Sequence, residues 1–324
     1  MRRRPGPNPA VVGDLGFRRP RRVVNHMAWS HDGRRLAIGG RLDTQMTVLD
    51  VKNGDELPAP GEQFGGIRDL AYSPDGRYLA VSRGGISLTP NSAGPLRYTV
   101  SLWDARTAAP VQDLAEPDPR EVTNMATHGL SFSSDARYLA VAYQRETAVY
   151  AFGDPPGRFR RVLLLPRATA CAFRPGTASL ACLRLDDGHE KLTLYRIPDG
   201  QVDRELDCRG HTLAWSPDGR WLVTALGPHV RVLDTTDDRT DRTLTPTHPD
   251  LRFHSLSFSA DGRWCAGADH VRLELWTTDT WSHAATLYHQ NKFIFAARFS
   301  PASGLLAAVG YAPVTIWNVQ EPGS

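Results

Sequence analysis

The fold predicted for this chain is an all-β ring, a seven-bladed β-propeller with four-stranded antiparallel blades. Two observations carry it. One short pattern recurs seven times along 324 residues. Its period is close to the roughly 40–45 residues that four short strands and their turns occupy. The segments read MAWSHDGRRLAIG, LAYSPDGRYLAVS, LSFSSDARYLAVA, CAFRPGTASLACL, LAWSPDGRWLVTA, LSFSADGRWCAGA and ARFSPASGLLAAV. Their anchoring aromatics are Trp29, Tyr72, Phe132, Phe173, Trp215, Phe258 and Phe299. Successive spacings are 43, 60, 41, 42, 43 and 41 residues, so the second unit alone carries a large insertion.

Each unit divides into elements with a physical reason. The stretch up to the aromatic is strand a. Ser-Pro-Asp-Gly, as at residues 73–76 and 216–219, is a tight turn: proline presets φ, aspartate bonds nearby backbone, and glycine takes the left-handed position. Strand b follows, as at residues 78–81 and 221–224. It is apolar on both faces, which suits a strand sandwiched between neighbouring sheets. Strand c ends at Leu49, Trp103, Tyr150, Tyr195, Leu233, Trp276 or Trp317. A fourth strand is predicted at residues 111–114, 161–165, 204–206 and 284–287.

The Ser-Pro-Asp-Gly turn followed by Leu102-Trp103-Asp104 resembles the WD40-repeat β-propeller family, over about residues 11–319. The divergent repeats point to a bacterial member. Only Trp103-Asp104 is a true Trp-Asp pair; Asp50, Ala151, Arg196, Asp234, Thr277 and Asn318 stand in the other six places. The family's Gly-His pair is missing, since Gly210-His211 lies too close to Trp215. The blades are therefore expected to rest on apolar packing more than on the family's polar network.

The last unit supplies strands a to c and lacks an outer strand. Residues 11–17 precede Trp29 at the distance an outer strand should, and are expected to complete blade 7 and close the ring, which removes open sheet edges. Residues 1–10 are read as a flexible basic tail, 11–319 as one propeller and 320–324 as a C-terminal tail.

Composition bounds the function. Hydrophobic residues are 41% and charged residues 23%, as in ordinary globular proteins. The net charge of +3 creates no global field for an anionic partner, so nucleic acid is not expected. Lysine occurs only at Lys52, Lys191 and Lys292, and the arginine excess is read as the codon usage of a GC-rich genome. The basic clusters Arg2-Arg3-Arg4 and Arg18-Arg19-Pro20-Arg21-Arg22 are read as solvated. No apolar run is long enough to span a bilayer, and residues 1–14 lack the core of a signal peptide. The expected location is cytoplasmic and the expected state a single propeller. Cys171, Cys182, Cys208 and Cys265 have no metal-site spacing; Cys171 and Cys182 are symmetric about a turn and could face each other, where a disulfide would be strained.

In the WD40 resemblance, the d–a and b–c loops open on one face, called the top, where partners bind. Two long top connections fall together in blade 2, residues 83–98 and 115–127. A second candidate is the position four before each anchoring aromatic: Asn25, Arg68, His128, Thr169, His211, His254 and Phe295. Its three histidines lie on different blades, so no spacing supports a metal, and none is expected. A third is the aromatic content of Leu251-Arg252-Phe253-His254 and Tyr288–Phe293, either binding hot spots or plugs between blades. The residues proposed to bind a partner are Arg68, Arg97, His128, His211, His254, Tyr288 and Phe295. Replacing Arg68, His211 and His254 together is expected to abolish binding without lowering stability.

No catalytic, cofactor or phosphate-binding motif is present. The function expected is a protein- or peptide-binding scaffold without cofactor. Two alternatives stand beside it: a propeller enzyme, a hydrolase, lyase or biosynthetic tailoring enzyme, recruiting top carboxylates such as Asp43, Asp69, Glu146 and Glu190; and a sensor module paired with a kinase or NTPase.

Overall fold

In the computed structural model the described residues are 10–15, 23–40, 45–61, 66–84, 99–114, 129–143, 146–153, 158–186, 189–237, 241–244, 247–289, 293–311 and 314–319, with residues 10–15, 185 and 186 described as backbone. They form seven four-stranded antiparallel sheets and no helix. Blade 1 is β2 (His26–Trp29), β3 (Arg35–Gly39), β4 (Thr47–Asp50) and β5 (Glu56–Leu57). Blade 2 is β6 (Gly66–Tyr72), β7 (Tyr78–Gly84), β8 (Thr99–Asp104) and β9 (Pro110–Leu114). Blade 3 is β10 (Gly129–Phe132), β11 (Tyr138–Ala142), β12 (Glu146–Gly153) and β13 (Arg158–Pro166). Blade 4 is β14 (Ala170–Phe173), β15 (Ser179–Asp186), β16 (His189–Arg196) and β17 (Val202–Asp207). Blade 5 is β18 (Thr212–Trp215), β19 (Trp221–Leu226), β20 (His229–Asp234) and β21 (Asp241–Leu244). Blade 6 is β22 (Ser255–Phe258), β23 (Trp264–Ala268), β24 (Arg272–Thr277) and β25 (His283–Tyr288).

Blade 7 contains β26 (Ile294–Phe299), β27 (Leu305–Gly310) and β28 (Val314–Asn318), and its fourth strand is β1 (Ala10–Leu15). β1 runs antiparallel to β28, with Val11 opposite Trp317 and Leu15 opposite Val314. The strand begins one residue before the expected 11–17; residues 16 and 17 lie outside the described residues, as do 1–9 and 320–324.

Burial falls from the inner strands to the outer ones. β7 is buried along its whole length, while β9 and β13 are largely exposed. Seven apolar clusters fill the seven interfaces between neighbouring blades. The central strands touch a blade on each side, which is why they read as continuous apolar runs.

The a–b turns are built alike. In blade 2 the Ser73 hydroxyl donates to Asp75 Oδ1 at 2.6 Å and accepts from the Tyr78 N–H at 2.9 Å, while Asp75 Oδ1 also accepts from the Arg77 N–H. Ser30–Asp32, Ser133–Asp135, Ser216–Asp218 and Ser259–Asp261 repeat the contact. Gly76 closes its turn at φ 71°, and Ala136 holds the same place in blade 3 at φ 57°. The Trp-Asp pair works locally: Trp103 Nε1 donates to Ser101 Oγ at 2.8 Å, and Asp104 Oδ1 accepts from Thr107 N at 2.7 Å. One feature of the polar network escaped the sequence: buried His289, in the link to blade 7, packs edge-on against Trp317.

Cys171 and Cys182 stand directly opposite each other on β14 and β15, and both are free thiols.

Candidate binding face

Strand a of each blade starts at the top, so the position four before each aromatic lies at the channel rim. In blades 1, 4, 5 and 6 its N–H closes the a–b hairpin: Asn25 to Gly39 O, Thr169 to Leu183 O, His211 to Ala225 O and His254 to Ala268 O, at 2.7–3.0 Å. In blades 2 and 7 the pairing skips this position, between Ile67 and Asp69 and between Ile294 and Ala296. Such bulges re-aim the extra side chain. They turn Arg68 inward and set Phe295 against a neighbouring loop.

The rim residues consequently differ in availability. Arg68 is 9% exposed and its Nε donates to the Gly84 carbonyl at 3.0 Å. His254 lies with Nδ1 2.8 Å from Ala268 O and Nε2 3.0 Å from Ile294 O, joining blades 6 and 7. Burial, then the neighbouring His270 ring, pull its pKa down to about 4, so the ring is neutral near pH 7 and donates through one nitrogen. Arg68 and His254 are thus parts of the scaffold. The triple substitution expected to spare stability removes internal hydrogen bonds at both. His211 is exposed, and Tyr288 is exposed at the end of the outer strand β25. Arg97 and His128 lie outside the described residues, as do Asp43 and most of the two long connections of blade 2.

The top of blades 6 and 7 carries a ridge of rings. His270 is 5.5 Å from Phe293, Phe293 is 5.8 Å from Tyr311, and Tyr311 is 5.2 Å from Phe295. Phe293 is 49% and Tyr311 54% exposed, with Val271 exposed beside His270. The two aromatics weighed as hot spot or plug divide. Phe253 is buried edge-on against Trp276, 5.5 Å away, as a plug, whereas Phe293 faces solvent.

A groove of about 640 Å³ opens between blades 4 and 5, lined among others by His189, Glu190, Cys208, Arg209, His229 and Arg231. Its walls are braced: Arg231 Nε binds both Asp241 oxygens at 2.7 and 2.9 Å, and Glu190 Oε2 accepts from the Gly210 N–H at 3.0 Å. Arg209, His189 and His229 are exposed. Sequence reasoning passed over these residues and over His270 and Tyr311. The available signal was their position immediately after strand b or before strand a, in connections with no insertion.

Asp69 of β6 and Arg298 of β26 attract each other as an opposite-charge couple. Asp69 accepts from Leu70 N at 2.9 Å and Leu130 N at 2.7 Å. Arg298 Nη1 donates to Ser255 Oγ and to the Ala297 and Leu256 carbonyls. Burial raises the Asp69 pKa, with the two N–H groups and Arg298 opposing; burial lowers that of Arg298, with Asp69 opposing. Asp69 is therefore tied to the walls. Among the described residues no group of three His, Cys, Asp or Glu is placed to hold a metal ion, and no helix is long and apolar enough to cross a membrane.

No family model matches the sequence. Among solved structures, the chain is similar to the Myceliophteria thermophila Cps50 (Swd1) β-propeller domain, at a TM-score of 0.76 and 17% identity, covering 97% of this chain and 100% of that one. The chain is a seven-bladed β-propeller resembling a WD40 propeller domain. As many as 1485 chains of known structure match it, so the likeness of this propeller speaks for architecture alone.

Proposed function

We propose that this propeller is a binding module that presents the top of blades 4–7 to a protein or peptide. The observation that carries the reading is the ridge of exposed Phe293, Tyr311 and Val271 with half-buried Phe295 among them. Half-exposed rings packed edge to edge are a ready anchor for a partner's apolar side chains, and aromatics dominate binding hot spots. An Asp69 whose two carboxylate oxygens are both bonded to backbone N–H groups gives no support to an acid–base centre in the channel. The four buried free thiols suit a reducing compartment, in keeping with a cytoplasmic location.

The test is affinity capture from extracts of the native host, with the full chain and the double variant Phe293→Ser, Tyr311→Ser. Both side chains are about half exposed, so the melting temperature should hold. Captured protein should be lost from the ridge variant and kept by Arg106→Ala, a change in an exposed c–d turn on the opposite face. Capture undiminished by the ridge variant would sink the reading.

A further inference from the structure

We infer that the outer strand of blade 3, β13, takes an extended acidic segment of another protein along its open edge, as a fifth strand of that sheet. The surface is the rim of blade 3 and not the ridge of blades 6 and 7, so the inference stands apart from the binding-face reading.

The backbone supplies the first argument. β13 ends the sheet order β10-β11-β12-β13, so no strand of the sheet covers its far edge. It runs nine residues, against two to six in the other outer strands. Opposite residues of an antiparallel pair exchange both hydrogen bonds or neither. The Phe152 N–H goes to Arg137 O on the β11 side, so Phe152 and, by alternation, Ala148 turn their backbone groups away from β13. Their partners Phe159 and Leu164 therefore present N–H and C=O outward. Phe159 shows what such a residue takes. Gln112 of β9 donates from Nε2 to Phe159 O at 2.8 Å and accepts from Phe159 N at 2.7 Å, as a peptide unit would. The outward groups of Leu164 have no such partner among the described residues.

Side chains set the sign. Arg158, Arg160, Arg161 and Arg167 are exposed and enter no ion pair among the described residues. Among those same residues, Glu146 opposite Pro166 and Asp113 on β9 stand near them without a cation of their own. The acids at the edge of blade 4 are spent: Asp199 and Asp203 lie against Arg196, and Glu205 against Lys191. Four cations against two carboxylates leave the strand positive. Val162 and Leu164, 46% and 47% exposed, share one face and suit apolar residues of the incoming strand. A second copy of β13 would set arginine against arginine, which is destabilising across a strand pair. A phosphate accepts from an N–H but offers nothing to a carbonyl, so the open backbone favours a peptide over nucleic acid.

The experiment titrates the intact chain with a labelled peptide of about ten residues that alternates glutamate with valine, read by fluorescence anisotropy. A peptide with lysine in place of each glutamate is the control and should not bind. Affinity for the acidic peptide should fall about tenfold or more on Arg160→Glu with Arg161→Glu, and on raising the salt. Hydrogen–deuterium exchange of the wild-type chain reads the backbone: the fragment holding residues 160–166 should be protected by the peptide. Leu164→Pro removes the outward N–H and should weaken binding while the melting temperature holds. If that variant melts lower, the wild-type exchange result decides. Phe293→Ser with Tyr311→Ser should bind the peptide as wild type does. Absence of binding, equal binding of the lysine peptide, or binding without protection at 160–166 overturns the inference and leaves the top-face reading standing. Binding lost on the ridge variant moves the peptide to the top face and overturns it as well. So does a single-stranded oligonucleotide or a phosphatidylserine vesicle that binds more tightly than the peptide and protects the same fragment.

Discussion

Trp29 Nε1 donates to the backbone carbonyl of Arg298 at 2.9 Å, so the anchoring aromatic of the first blade is fastened to the inner strand of the last. Trp215 makes the same contact to Ala172 O at 3.2 Å between blades 5 and 4. Side chains in other blades do related work: Ser131 Oγ accepts from Phe173 N, and Ser257 Oγ from Phe299 N. The inner edge of each sheet would otherwise present unpaired backbone groups to the channel. Trp29→Phe keeps the ring and removes the donor. It should cost about 1 kcal/mol in urea unfolding, with the fold unchanged by circular dichroism. A loss near zero would mean that water replaces the indole fully.

Removing residues 1–15 strips β1 from β28 and leaves the Val314–Asn318 edge open. Such an edge is a template for another chain. The truncated protein should melt lower and associate with rising concentration in light scattering, whereas Trp29→Phe should stay as dispersed as wild type.

The serine–aspartate turns predict the acid limit of stability. Burial raises Asp75, but the Ser73 hydroxyl, the Arg77 N–H and the Arg77 guanidinium outweigh it and hold its pKa below 3.8. Asp32 and Asp218 are lowered in the same way. A carboxylate depressed in the folded state contributes stability that is full above its unfolded pKa and lost as pH falls through the folded one. Asp69, raised by burial, has the opposite sign. The urea midpoint should therefore hold from neutrality towards pH 3.8 on the account of these turns, then drop. Asp75→Asn should shallow that drop while lowering the midpoint at neutral pH.

Gly76→Ala combines two penalties. The residue sits at φ 71°, and a Cβ there would overlap the His31 ring of blade 1. A loss of about 2 kcal/mol or more is expected, since the left-handed region alone costs about 1–2 kcal/mol. Removing the ring with His31→Ala in the same chain should recover only the steric part.

The thiols should be silent in the native protein. Burial raises Cys171 to about 12, and lifts Cys182 and Cys265 as well. Ellman's reagent should leave these three unreacted until denaturant is added. Fast native labelling of Cys182 would show that blade 4 opens locally.

The blades were legible because their causes are local. A turn needs its serine, aspartate and glycine in order, and a sandwiched strand needs apolar residues on both faces, so Tyr72, Trp215 and Phe258 could be placed by spacing alone. The fate of the rim could not be read this way. Whether Arg68 points outward depends on a bulge between Ile67 and Asp69, and a bulge changes register without leaving a mark in composition. His254 is consumed by a carbonyl forty residues further along the chain, Ile294 O. His270, Phe293, Phe295 and Tyr311 come from the loops and strand ends of two blades, and only the ring brings them together.

The pairing of Val11 with Trp317 has a consequence for biosynthesis. The strand that leaves the ribosome first finds its neighbour last. At about 5–20 residues per second, it waits roughly 15–60 s while the remaining blades are translated. Throughout that interval the nascent arc has two unsealed ends, and a chaperone that shields them would act on the residues furthest apart in sequence.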